Sequence, residues 1–139
     1  MKMIEFDQVS KEELVTFISE NFDRFDSERT PGFPENMLFD LESDSFQFFR
    51  NPNGFAIAFT GRPTEVELMF LYVRRSAEGQ GIGTQLIDSV KHMAAGLPVT
   101  LKCEGSDREA YFRGRGFKAV MQVSKDRFCM QWLPANQSI

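Results

Sequence analysis

"AEGQGIGTQLI", residues 77–87, sets glycine at positions 79, 81 and 83 and then passes into an apolar helical pattern. Glycine loses more conformational entropy on folding than any other residue. A run of this kind therefore marks backbone that something must approach closely. Just upstream, "EVELMFLYV" (65–73) is rich in β-formers and reads as a strand. Downstream, Ile82, Leu86, Ile87, Val90, Met93 and Ala94 share one helical face. The stretch thus joins a strand end to a helix start near Gly81. The first turn of a helix presents unpaired N–H groups at the positive end of its dipole. With no side chains in the way, they can wrap a phosphate or pyrophosphate.

Two common phosphate motifs do not fit. A P-loop needs lysine followed by serine or threonine after the glycines, whereas Gly83 is followed by Thr84 and Gln85. A dinucleotide fingerprint needs GxGxxG, and its third glycine would fall on Thr84 or Leu86.

The rest of the chain surrounds this turn with short elements. Met3–Gln8 reads as a strand. Ser10 offers a helix N-cap, with Glu13 as capping-box partner. Leu14, Phe17, Ile18, Phe22 and Phe25 then share a face, which predicts a helix over Lys11–Arg24. A loop at 26–34 and a short helix over Glu35–Glu42 follow. Strands at 45–50 and 55–60 flank the turn "NPNG" and form a hairpin, and the strand 65–73 extends the meander. After the long helix, ended by Gly96 and Pro98, come the strand 99–103 and a helix over 106–115 opening at Ser106. Two closing strands lie either side of "SKD" (124–126). The order β-α-α-β-β-β-α-β-α-β-β predicts one mixed α/β (α+β) domain spanning residues 1–139. Its mainly antiparallel sheet has about seven strands, with helices on both faces. The strands 65–73 and 99–103 are parallel because a helix connects them.

Composition narrows the setting. The 139 residues are the length of one domain, and 42% apolar content supplies a core. Nothing reads as a signal peptide or membrane span, and Cys103 and Cys129 lack metal-site spacing. A cytoplasmic protein with reduced cysteines and no metal is expected. Residues 1–50 carry twelve acids and five bases, whereas residues 51–139 carry eight acids and eleven bases. This asymmetry suits two ligands of opposite charge. No dense basic stripe with interleaved aromatics points to nucleic acid.

The element order and two motifs resemble the GNAT superfamily of acyl-CoA-dependent N-acyltransferases. The family pattern has Arg or Gln, two free positions, Gly, a free position, then Gly or Ala. Glu78-Gly79-Gln80-Gly81-Ile82-Gly83 stands in that place. The second landmark, an aromatic pair, three residues and Gly-Phe, is Tyr111-Phe112, Arg113-Gly114-Arg115, Gly116-Phe117.

The resemblance implies acetyl-CoA as cofactor. Its pyrophosphate would lie on the N–H groups of Gly79, Gln80, Gly81, Ile82, Gly83 and Thr84, beside Glu78. Its pantetheine arm would run along the backbone of Leu71, Tyr72 and Val73, where the fourth and fifth strands splay. A primary amine, on a small molecule or a protein, would attack the thioester directly. Glu67, eleven residues before Glu78, resembles the glutamate base of histone-type members, with Glu65 as rival. By alternation Glu65, Glu67, Met69, Leu71 and Val73 share a face, unless a bulge exchanges faces.

Two positions depart from the family pattern. Glu78 replaces Arg or Gln and would repel a pyrophosphate, with Arg74 or Arg75 close enough in sequence to offset it. Phe112 stands where many members carry a tyrosine acid, and the adjacent Tyr111 is the phenol available. The acidic N-terminal half favours a cationic amine. Family members are often dimers, so a homodimer is a further expectation. A non-catalytic acyl-CoA sensor is the alternative.

Overall fold

The computed structural model describes residues 7–14, 16, 45–73 and 77–134. Seven strands form one sheet: β1 (Asp7–Val9), β2 (Phe46–Asn51), β3 (Gly54–Phe59), β4 (Val66–Val73), β5 (Val99–Glu104), β6 (Lys118–Ser124) and β7 (Arg127–Trp132). Their spatial order is β1-β2-β3-β4-β5-β7-β6, and every pairing is antiparallel except β4 with β5. The expected mixed architecture is the one observed. Most of the expected first strand, the first helix beyond residue 16, the loop 26–34, the helix over Glu35–Glu42 and Arg74 and Arg75 lie outside the described residues.

Local chemistry accounts for the elements. Ser10 and Glu13 form the reciprocal capping box: the Ser10 amide donates to Glu13 Oε1 at 2.9 Å, and the Glu13 amide donates to Ser10 Oγ at 3.1 Å. This pins the start of the helical residues 11–14. The β2–β3 hairpin closes with Asn51 opposite Gly54, and the Asn53 amide donates to Asn51 Oδ1 at 2.9 Å. The long helix, Ile82–Met93, starts at Gly81. The short helix, Ser106–Arg113, is capped by Gly105 rather than by the Ser106 side chain. Gly105 has a positive φ, and its amide donates to the Asp126 carbonyl at 2.7 Å, so the β6–β7 turn holds the helix start.

The sheet is covered on both faces. On one, the long helix buries Leu86, Ile87 and Val90 against Ala56, Ala58, Leu68 and Leu101, and Tyr111 and Phe112 pack against the same cluster. On the other, Leu14 meets Phe48, Phe55, Ile57 and Tyr72.

Strand β4 does not keep a single alternation. Ile57 pairs with Phe70 and Ala58 with Leu68, so Met69 is an extra residue, a β-bulge. Val66 and Leu68 face the long helix before the bulge, and Leu71 and Val73 face it afterwards. The expectation that Glu65 and Glu67 share a face with Leu71 and Val73 is therefore corrected. Glu67 lies opposite Phe59, with its side chain on the Leu14 face.

The parallel pairing of β4 with β5 is short. Its partners are Val66 with Val99 and Glu67 with Thr100, and beyond them the two strands part.

Candidate active site

The glycine turn has two separate reasons for its composition. Gly79 (φ 85°) and Gly81 (φ 82°) adopt left-handed dihedrals that a side chain would strain. Gly83 has ordinary dihedrals, but a Cβ there would stand 2.1 Å from the Tyr111 hydroxyl oxygen. Gly81 makes no side-chain cap, and the first helical turn holds no acidic residue. Its N–H groups are thus left for an anion.

These features line one cavity of about 620 Å³. Leu71, Val73, Glu78, Gly79, Gly81, Ile82, Gly83, Thr84 and Tyr111 come together there. Tyr72 and Gln80 are not in its lining. The Tyr72 ring lies on the opposite face against Phe55, with centroids 5.7 Å apart.

The sequence reading missed two cations in this lining, Arg108 and Arg115. Arg115 Nε donates to Thr84 Oγ1 at 3.2 Å and Nη1 to the Tyr111 carbonyl at 3.0 Å. Its guanidinium carbon sits 3.7 Å from the Tyr111 ring centroid. This stack holds a positive charge at the helix N-terminus, on the same cavity as Glu78. The available signal was the spacing of Arg115 from Tyr111, inside the aromatic motif. Lys91 braces the same segment: Nζ donates to the Arg115 carbonyl at 2.7 Å and lies 4.8 Å from the Trp132 ring centroid. Burial lowers the pKa of Lys91.

A second cavity, of about 560 Å³, continues from the first through Leu71, Arg108 and Phe112. It occupies the gap between β4 and β5. Leu68, Leu71 and Leu101 reach it from the long-helix face, and Phe70 from the Leu14 face. The cavity therefore passes through the sheet.

Neither candidate base lines these cavities. Glu67 Oε1 accepts from Arg62 Nη1 at 2.9 Å, and its side chain is only 13% exposed. Glu65 Oε2 accepts from Thr100 Oγ1 at 3.2 Å and lies 3.8 Å from Arg62. Both acids thus flank the point where the strands part, on the Leu14 face. Tyr111 sets its hydroxyl beside Gly83. Phe112, edge-on to Tyr111 and Phe117, stands between the two cavities.

Cys103 packs against the core cluster under the long helix. Burial, then the charge of Glu109, pushes its thiol pKa up, and Sγ lies 3.7 Å from Met130 Sδ. Among the described residues, no group of acids, histidines and cysteines could hold a metal, and no helix is long and apolar enough to cross a membrane.

The family model for GNAT acetyltransferases matches residues 7–117. The chain belongs to this family. Its members use acetyl-CoA, and the glycine turn of this chain fits the cofactor's phosphates. An acetyltransferase from Thermus thermophilus superposes with a TM-score of 0.74 at 19% identity, covering 96% of this chain and 100% of that one. The PaiA N-acetyltransferase of Thermoplasma acidophilum, solved with coenzyme A, gives 0.69 at 17% identity, covering 96% and 100%. An aminoglycoside 6'-N-acetyltransferase, also complexed with coenzyme A, gives 0.68 at 14% identity, covering 94% and 97%. At these identities the likeness is one of fold. No curated relative matches the sequence.

Two outcomes are expected. Gly83→Ala will lower the urea midpoint, and adding Tyr111→Phe, which removes the clashing oxygen, will restore much of the loss; failure of the rescue would show that Gly83 is needed for another reason. Arg115→Ala will weaken coenzyme A binding about tenfold or more by calorimetry, the scale of a lost charge-assisted hydrogen bond.

Proposed function

We propose that the protein is an N-acetyltransferase that moves an acetyl group from acetyl-CoA to a primary amine by direct attack. The observation that carries this reading is the gap that opens between β4 and β5 after Glu67, where one cavity continues from that at the glycine turn.

The N–H groups of Gly79–Thr84, supported by Arg115 and Arg108, would hold the pyrophosphate. The backbone of Leu71–Val73 would pair with the pantetheine arm, as an added strand pairs with a sheet edge. Bound there, acetyl-CoA supplies an acyl group activated as a thioester. A main-chain N–H of β4 near the bulge would polarise its carbonyl.

The amine would arrive from the Leu14 face, where Glu65 and Glu67 stand. Its nitrogen must be neutral to attack, so Glu67 would accept a proton, directly or through one water, with Glu65 as the alternative. The nitrogen bonds to the acyl carbon, the carbon–sulfur bond breaks, and the departing sulfur takes a proton. Tyr111 is the candidate donor, because Phe112 has no hydroxyl to give and the other tyrosine, Tyr72, faces away from the cofactor cavity. The acid excess of residues 1–50 favours a cationic amine, and two unbridged cysteines suit a reducing, cytoplasmic setting.

Thermal unfolding tests the cofactor. Acetyl-CoA at 100 times its dissociation constant adds about 2.7 kcal/mol, a rise on the order of 10 °C for a domain this size. ATP and NAD will give none; equal shifts with all three would reduce the turn to a general anion site. Glu67→Gln tests the base. Turnover of a reactive amine will fall about 100-fold while acetyl-CoA affinity stays within about twofold. Unchanged turnover would move the role to Glu65 or to a non-catalytic sensor.

A further inference from the structure

Lys91 is a half-buried cation in the last turn of the long helix. Among the described residues no carboxylate forms an ion pair with it. Its ammonium instead lies 4.8 Å from the Trp132 ring centroid and 5.5 Å from that of Phe117, so two aromatic faces stand where a counter-ion would. Burial lowers its pKa more than the charge of Asp88, three residues back, raises it. Taking a charge out of water is costly unless it is paired or hydrogen-bonded. The hydrogen bond that Lys91 makes is therefore informative: Nζ donates to the Arg115 carbonyl at 2.7 Å.

That carbonyl belongs to the turn that ends the short helix. The turn closes with the Phe117 amide donating to the Phe112 carbonyl at 3.1 Å and the Gly116 amide to the Arg113 carbonyl at 3.1 Å. Gly116 takes a φ of 94°, the left-handed glycine with which helices commonly end. A Cβ there would stand 3.2 Å from Trp132 Cδ1, so the glycine also leaves room for the ring that faces the ammonium. Among the described residues no backbone amide donates to the Arg115 carbonyl. The Lys91 ammonium meets it, at the negative end of the short helix. One side chain thus ties the long helix, the turn after the short helix and β7.

From this turn the Arg115 side chain runs to the glycine turn, where its Nε donates to Thr84 Oγ1 at 3.2 Å. Arginine has many rotamers to lose, and fixing the backbone that carries it narrows the set to those that meet Thr84.

We propose that Lys91 is a positioning residue for the cofactor. Through the Arg115 carbonyl it holds the Arg115 guanidinium beside Thr84, where it faces the phosphates of coenzyme A. The proposal rests on the acyl-CoA reading of the glycine turn.

The test is a double-mutant cycle read as calorimetric affinity for coenzyme A. Lys91→Met keeps the length of the stem and suits a helix, but loses the ammonium. It will weaken coenzyme A binding about fivefold, within the range for residues coupled through one network. In the Arg115→Ala background the same change will cost less than about twofold, because no guanidinium is left to position. Lys91→Arg keeps a cation that donates hydrogen bonds and stacks on aromatic rings, and it will recover most of the affinity. Equal losses from Lys91→Met in the two backgrounds would overturn the proposal, by making Lys91 a support of the fold at large. Unchanged affinity in Lys91→Met, or a loss in Lys91→Arg as great as in Lys91→Met, would overturn it too and leave the cofactor reading intact. No binding of coenzyme A by the unaltered chain would remove both.

Discussion

The separation of β4 from β5 is the constraint on which the site depends. In an ordinary sheet each interior strand spends its backbone donors and acceptors on two neighbours, since unpaired groups in a buried setting are costly. Here β4 keeps β3 on one side from Glu67 to Val73, the bulge at Met69 apart, but leaves β5 after Glu67. Strand β5 keeps β7 on its far side through Glu104. Beyond that point the two inner edges diverge. The Met69 bulge is the local device that accompanies this, because an extra residue bends a strand and sharpens its twist.

From that geometry the charges sort themselves by face. The helix N-terminus, Arg115 and Arg108 gather on the cavity that also holds the glycine turn, so the sheet's long-helix side is the one prepared for an anion. Glu65 and Glu67 are set on the opposite side by their position before the bulge. A sheet normally insulates its two faces from each other. The gap removes that insulation at one place, between a side that gathers cations and a side that carries two acids.

Much of the frame was legible in the sequence because it is encoded locally. Ser10 and Glu13 announce a capping box, "NPNG" announces a hairpin, and Ile82, Leu86, Ile87 and Val90 announce a buried helical face. What was not legible is set by tertiary geometry. Strict alternation put Glu67 with Leu71, and one unpaired residue at Met69 reversed that relation. Arg115 lies 31 positions from Thr84 and meets it only once the short helix docks beside the long one. Gly83 looks like its two neighbours in the sequence, yet its reason for being glycine is a tyrosine far along the chain.

The same gap also explains why the glycine turn and the second cavity are one site. An arm paired to a strand edge sits about 4.8 Å from it, so a ligand held between β4 and β5 needs roughly twice that separation. Besides the two strands' own side chains, the opening is walled by Phe112 of the short helix and by Val123 and Phe128 of β6 and β7. Phe112 and Phe128 also pack against the core cluster under the long helix, whereas Val123 is exposed. The turn end of the site is set by backbone conformation at Gly79 and Gly81, while the gap between β4 and β5 is bounded by side chains brought in from the short helix, β6 and β7.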